Sequence, residues 1–304
     1  MAQIPKTEMN QALDWCASTL GPIEIMSDHS KVHGGHESST CRLRAAVGCC
    51  YLKVHRSESS WHNEVHAYER WACAFGAAAP RLLAVRDQQP LALVISELPG
   101  QILEGMPLSP IQERAVWQAA GAALVALHDL ETGACFGPCL RDGTCAGEPV
   151  RDAREYVSRR FQGQIERARE GGYVTEEELA TLHAACALIP AFVGEQPIPC
   201  HRDYCAANWL IGEGGAWTGV IDFEFAHWDV RVADFSRDPN WSWVHRPDLV
   251  AAFFEGYGRR PDEQQLFVAY AEYALGAILW GHDYAFYGFE REGREALVYL
   301  ASLL

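Results

Sequence analysis

Between Cys200 and Glu224 the chain reads "CHRDYCAANWLI", then "GEGGAWTG", then "VIDFE", and this stretch restricts the possible folds more than any other. His201, Asp203 and Asn208 lie in a segment with neither helical nor strand periodicity. Two short apolar runs follow, on either side of Gly214-Gly215, and the second ends at Asp222. A Gly-Gly tip between apolar runs predicts a hairpin over 208–223, which returns Asp222 to the side of Asn208. Asp and Asn also satisfy turns through side-chain to backbone bonds, and for the first triplet alone that explanation is adequate. A second aspartate returning beside Asn208 asks for more. A carboxylate and an amide oxygen converging from adjacent strand ends suit Mg²⁺, a hard cation that prefers oxygen ligands. Asp203 is then left to orient a hydroxyl, the arrangement that phosphoryl transfer needs.

The remainder of the chain supplies a setting for that hairpin. Short apolar runs at Cys41–Ala46 and Cys49–Val54, broken at Gly48, and two more in "PRLLAVRDQQPLALVISELPG", predict a small antiparallel sheet. Between them, Trp61, Val65, Tyr68 and Ala72 recur at helical steps, with Ser59 or Ser60 as the cap. Beyond Gly100 the character changes. Ser109-Pro110 opens an Ala- and Leu-rich helix, and 151–170, 174–190 and 248–302 are also mostly helical. The predicted class is α+β in two lobes: 1–99 with an antiparallel sheet and one helix, and 100–304 mostly helical.

Composition narrows the partners. With 40 acidic against 25 basic residues, a net charge of −15 and no basic run, a nucleic-acid backbone is a poor partner and a cationic small molecule a better one. The N-terminal stretch lacks a secretory pattern and no apolar run reaches membrane-spanning length, so a cytoplasmic protein with no membrane partner is expected. Eleven cysteines, odd in number and irregular in spacing, predict free thiols. Cys135, Cys139 and Cys145 do not have the paired spacing of structural zinc.

The pattern H-x-D-x-x-x-x-N at His201, Asp203 and Asn208, followed by the "IDFE" of 221–224, resembles the aminoglycoside phosphotransferases of the kinase-like superfamily, with choline kinases and protein kinases as more distant relatives. The resemblance runs from about residue 30 to residue 240. It implies a two-lobed kinase-like fold, Asp203 as catalytic base, Asn208 and Asp222 as magnesium ligands, and Asp234 as a brace for the catalytic loop. It further implies Lys53 on a strand gripping the nucleotide phosphates, paired with Glu64 on the next helix. The stretch from His33, with Gly34, Gly35, Ser38 and Ser39, would cover the phosphates, and the backbone of Ser96, Glu97 and Leu98 would meet adenine. Departures exist too, since Arg202 stands where the antibiotic kinases commonly carry glycine and "YCAA" replaces their usual leucine-histidine.

Three functions follow from the resemblance. The first is transfer of the γ-phosphoryl of ATP, or GTP, to a hydroxyl of a cationic antibiotic, an aminoglycoside or a tuberactinomycin-type peptide, by a monomer or homodimer. Acids of the second lobe, Glu224, Asp229, Asp283 and Glu290, would receive the substrate's amines; choline or an amino sugar would fit as well. The second, a protein kinase, lacks D-F-G and A-P-E. The third, a nucleotide-binding pseudokinase, is opposed by the joint presence of Lys53, Glu64, Asp203, Asn208 and Asp222. No G-x-x-x-x-G-K-[ST] occurs, which argues against a P-loop kinase.

Overall fold

The computed structural model describes residues 4–28, 38–235, 237 and 245–304. His33, Gly34 and Gly35 of the expected phosphate-covering stretch lie outside the described residues. After helix α1 (Lys6–Leu20), strands β1 (Glu24–Asp28), β2 (Ser38–Ala45), β3 (Gly48–His55), β4 (Leu82–Arg86) and β5 (Ala92–Ser96) form one antiparallel sheet in the order β1-β2-β3-β5-β4. Alternation along β3 sorts its side chains. Cys50, Leu52 and Val54 pack with Cys41, Leu43, Ala92 and Val94 under α1, in a small core closed by Ala12 and Cys16. The intervening Tyr51 and Lys53 therefore face the other way, into a cleft.

Helix α2 (Glu58–His66) follows β3 directly. Its cap is Ser57, whose side chain accepts from the Ser60 N–H at 3.3 Å, rather than Ser59 or Ser60. The helical periodicity continues through a π-turn at Ala67–Trp71 and a 3₁₀ segment at Ala72–Ala78, so Trp61, Val65, Tyr68 and Ala72 are all buried although only two of them belong to α2.

Two small sheets underlie the motif stretch. β6 (Gln101–Ile102), β8 (Trp209–Ile211) and β9 (Trp217–Val220) form one, and β7 (Ile198–Cys200) pairs with β10 (His227–Asp229) in the other. The predicted hairpin is β8–β9. Strands β1, β6, β7 and β10 and helix α1 were not anticipated; β1 has five residues and the other three strands have three or fewer, too short to show a periodicity.

The helices are α3 (Pro110–His128), α4 (Ala153–Gly171), α5 (Glu176–Cys186), α6 (Pro247–Tyr257), α7 (Glu263–Tyr284) and α8 (Tyr287–Ala301). Ser109 and Gln112 close a capping box on α3, and Thr175 and Glu178 another on α5. α3 and α6 approach through Gly121 and Gly256, where an added Cβ would lie 2.1 Å from the Phe253 carbonyl oxygen and 1.8 Å from that of Gln118. α7 and α8 meet in the same way at Gly293. Cys135 and Cys145 are joined in a disulfide, with Cα atoms 6.3 Å apart, which corrects the expectation of free thiols at those two positions. Cys139 between them is buried, its backbone N–H donating to Asn63 Oδ1 at 3.0 Å. Among the described residues no helix is long and apolar enough to cross a membrane.

Candidate active site

A cleft of about 1070 Å³ runs from the inner face of the five-stranded sheet to helix α7, and Lys53, Asp203, Asn208 and Asp222 all line it. On the sheet side, Lys53 Nζ donates to Glu64 Oε1 at 2.6 Å and to Asp222 Oδ1 at 2.7 Å, and lies 3.5 Å from Glu224 Oε2. Burial alone would pull the Lys53 ammonium pKa down; Asp222, Glu64 and Glu224 outweigh it and hold that pKa well above the ordinary lysine value. Asp222 responds in kind, with Lys53 overriding the effect of burial and keeping its carboxyl low. Glu224 does the opposite: burial, then the neighbouring Asp222, pushes its carboxyl up to about 8. Its Oε2 accepts from Ser38 Oγ at 2.9 Å, tying the start of β2 to the motif strand. Glu224 is thus in the cleft but beside Lys53, at the sheet end rather than among the C-terminal helices.

The segment from His201 to Asn208 is shaped by its own side chains. The Asn208 carbonyl accepts from the Ile221 N–H at 3.0 Å, closing the base of the β8–β9 hairpin and setting Asp222 next to Asn208. Asn208 Nδ2 donates to the Asp203 carbonyl at 2.9 Å and to Asp203 Oδ2 at 2.7 Å. With its amide hydrogens so used, Asn208 keeps its oxygen for a cation, and together with Asp222 it forms an oxygen-only donor set that fits Mg²⁺. Asp203 Oδ1 accepts from Arg237 Nη1 at 2.6 Å, a partner that no motif announced. His201 Nε2 lies 3.1 Å from the Ile221 carbonyl, and its ring packs on Phe223 at 4.7 Å between centroids.

Behind the loop Asp234 is fully committed. Its carboxylate accepts from the backbone N–H groups of His201, at 2.8 Å, and Arg202, and His128 Nε2 lies 2.9 Å away. His128 in turn meets the Tyr257 hydroxyl at 2.7 Å. A buried aspartate taking two loop amides fixes the turn in which Arg202 adopts φ +65°. That left-handed conformation is what a glycine would accept freely. Here the side chain has a use, since Arg202 Nη1 reaches His227 Nε2 at 2.8 Å and Nε stands 2.9 Å from Asp229 Oδ2.

The other anticipated residues separate. Ser38, Ser96, Glu97 and Leu98 line the cleft; Ser39 is buried on β2 and does not. The Ser96 and Glu97 N–H groups are spent on the carbonyls of Arg81, at 2.9 Å, and Cys49, at 3.2 Å, leaving Leu98 as the hinge amide that no backbone carbonyl takes up among the described residues. The Glu97 side chain is clamped by Arg42 and Tyr51. Three of the four acids expected to meet amines are engaged by arginines. Asp229 is fully buried, engaged by Arg160 Nη1 at 2.6 Å and Tyr156 at 3.1 Å as well as by Arg202. Asp283 pairs with Arg167 at 2.5 Å and Glu290 with Arg294 at 2.8 Å, and neither lines the cleft. Sequence reasoning missed Arg160, Arg237 and Glu272, which do line it; a helix arginine or glutamate carries no spacing signal by which to find it.

The sequence matches the family described as "Phosphotransferase enzyme family" (APH) over residues 28–273. No curated protein matches the chain by sequence. Among solved structures, the fold is similar to that of aminoglycoside phosphotransferase APH(4)-Ia, at 15% identity and a TM-score of 0.72, covering 96% of this chain and 98% of that one. A gentamicin complex of APH(2")-IIa is similar at 14% identity and a TM-score of 0.64, covering 98% and 97%. The macrolide 2'-phosphotransferase MphH from Brachybacterium faecium is similar at 16% identity and a TM-score of 0.62, covering 96% and 98%.

Proposed function

The chain belongs to the phosphotransferase enzyme family, and from that premise we propose that it moves the γ-phosphoryl group of ATP to a hydroxyl of an antibiotic-like small molecule, with Asp203 as the base. One observation carries the proposal: Lys53 and Asp222, 2.7 Å apart, share a single cleft with Asn208 and Asp203, also 2.7 Å apart. The ADP–hygromycin B complex of a thermostable APH(4)-Ia mutant supports use of an adenine nucleotide and a small acceptor.

In this mechanism Lys53, fixed by Glu64, holds the nucleotide phosphates, and the Leu98 N–H meets the base. Asn208 and Asp222 would hold magnesium, which supplies neutralisation of phosphate charge. Asn208 and Arg237 hold the two oxygens of Asp203 in place, so that the carboxylate receives the acceptor's hydroxyl proton at Oδ1 or Oδ2. Asp234 fixes the loop through its two amides. The division into a nucleotide-binding lobe over 1–99 and a catalytic lobe over 100–304, and a cytoplasmic setting that supplies ATP, belong to the same proposal.

The test is coupled ADP release with Mg-ATP and Mg-GTP against aminoglycosides, tuberactinomycins, macrolides, choline and amino sugars, with mass spectrometry of the products. An acceptor that gains one phosphate is the expected result. Nucleotide binding with no phosphorylated acceptor anywhere in the panel would favour a binding role instead.

A further inference from the structure

The acids expected to bind a polycation are taken, which raises the question of what the acceptor half of the cleft does offer. We infer that it receives a molecule presenting an apolar or aromatic ring face and little net positive charge, rather than a polycation; the inference rests on the phosphotransfer proposal above.

Two independent features of the cleft support this. The first is the wall. Tyr273, Trp280 and Tyr284 of α7, Phe286 in the turn after it and Phe289 of α8 line the cleft, with the buried Phe192 behind them. Four of these rings form one cluster, with Trp280 4.8 Å from Tyr284, 5.3 Å from Phe286 and 5.0 Å from Phe289. Phe286 is 51% exposed, an aromatic ring that the fold itself does not cover. Rings lining a cleft and partly open to solvent offer area to a ligand with an apolar face. The wall also reaches the reacting carboxylate: the Arg237 guanidinium that bonds Asp203 lies 5.7 Å over the Phe289 ring. An acceptor packed on this wall would therefore lie close to Asp203.

The second feature is charge. Beyond the phosphate end, the cleft's arginines are Arg160, Arg202 and Arg237, and each is matched to an acid. Arg160 holds Glu272 and Asp229, Arg202 holds Asp229, and Arg237 holds Asp203. An ammonium group could meet the exposed Glu104 in the cleft lining, but to reach Asp203, Asp229 or Glu272 it would have to displace a guanidinium from a carboxylate, leaving a desolvated arginine behind. Beyond one amine at Glu104, a polycation would have to break these pairs one after another, whereas a neutral or singly charged ring would disturb none of them.

Binding is best read with AMP-PNP and magnesium present, by calorimetric titration, which needs no turnover. The probes are a macrolide with one amine and gentamicin, with several. We expect the macrolide to bind at least tenfold tighter, and its Kd to change less than twofold between 50 and 300 mM salt (about a 2.4-fold drop in Debye length). Phe286→Ala, at an exposed ring, and Phe289→Ala should each weaken the macrolide at least fivefold and leave AMP-PNP affinity unchanged. Tighter binding of gentamicin, macrolide binding indifferent to both substitutions, or binding of neither probe would overturn the assignment. Failure of AMP-PNP itself to bind would instead overturn the phosphotransfer proposal on which it rests.

Discussion

Lys53 has 7% of its side chain exposed and Glu64 none, so each depends on the other to be buried as a charge. Lys53→Met would leave Glu64 with only His55, whose Nε2 lies 2.9 Å from its Oε2, and should cost about 3–5 kcal/mol, read from urea unfolding, while raising the KM for ATP. A variant of unchanged stability would mean the pair is not formed. His227 gives a second test through pH. Its Nε2 faces a donor, Arg202, so the ring is held neutral; burial, then Arg202, lowers its pKa to about 4. The unfolded chain takes up this proton near 6.5 and the folded chain only near 4. The contribution to stability is therefore complete above about pH 6.5 and lost as the pH falls toward 4. Replacing His227 by Gln should flatten the decline in unfolding free energy between pH 7 and 4.5 by about 2–3 kcal/mol relative to the parent protein. Equal slopes would show that His227 is not held neutral in the folded protein.

Elements were legible in the sequence where a local signal matched a local structure. The Gly214-Gly215 tip gave the β8–β9 hairpin, and with it the meeting of Asn208 and Asp222, because a hairpin's register follows from its turn. Ser109-Pro110 gave the start of α3. Long-range partners carried no such signal. Arg237 meets Asp203 across 34 residues and Arg160 meets Asp229 across 69, so the acids chosen from sequence as amine binders turned out to be bound already. The α3–α6 contact is of this kind too: nothing local marks Gly121 and Gly256, yet they let two backbones approach. Gly256→Ala sets a methyl against the Gln118 carbonyl and should cost about 1–3 kcal/mol beyond any gain in helix propensity. Thermal denaturation with Tm unchanged or raised would contradict that packing.

At the scale of the whole molecule, the sheet supplies Lys53, the motif strands supply Asn208 and Asp222, the loop braced by Asp234 supplies Asp203, and α7 and α8 close the far side of one cleft. Nucleotide binding should therefore stabilise the entire fold: Mg-AMP-PNP at about a hundred times its Kd should add about 2.7 kcal/mol to the unfolding free energy. Removing magnesium with a chelator should weaken that effect if Asn208 and Asp222 hold the ion. The most direct test of the central claim compares the parent protein with Asp203→Asn, measuring ADP release with a phosphorylated acceptor and AMP-PNP affinity in parallel. The account predicts a loss of at least a hundredfold in kcat with nucleotide affinity within about twofold of the parent. An Asp203→Asn protein that still phosphorylates its acceptor at the parental rate would contradict it.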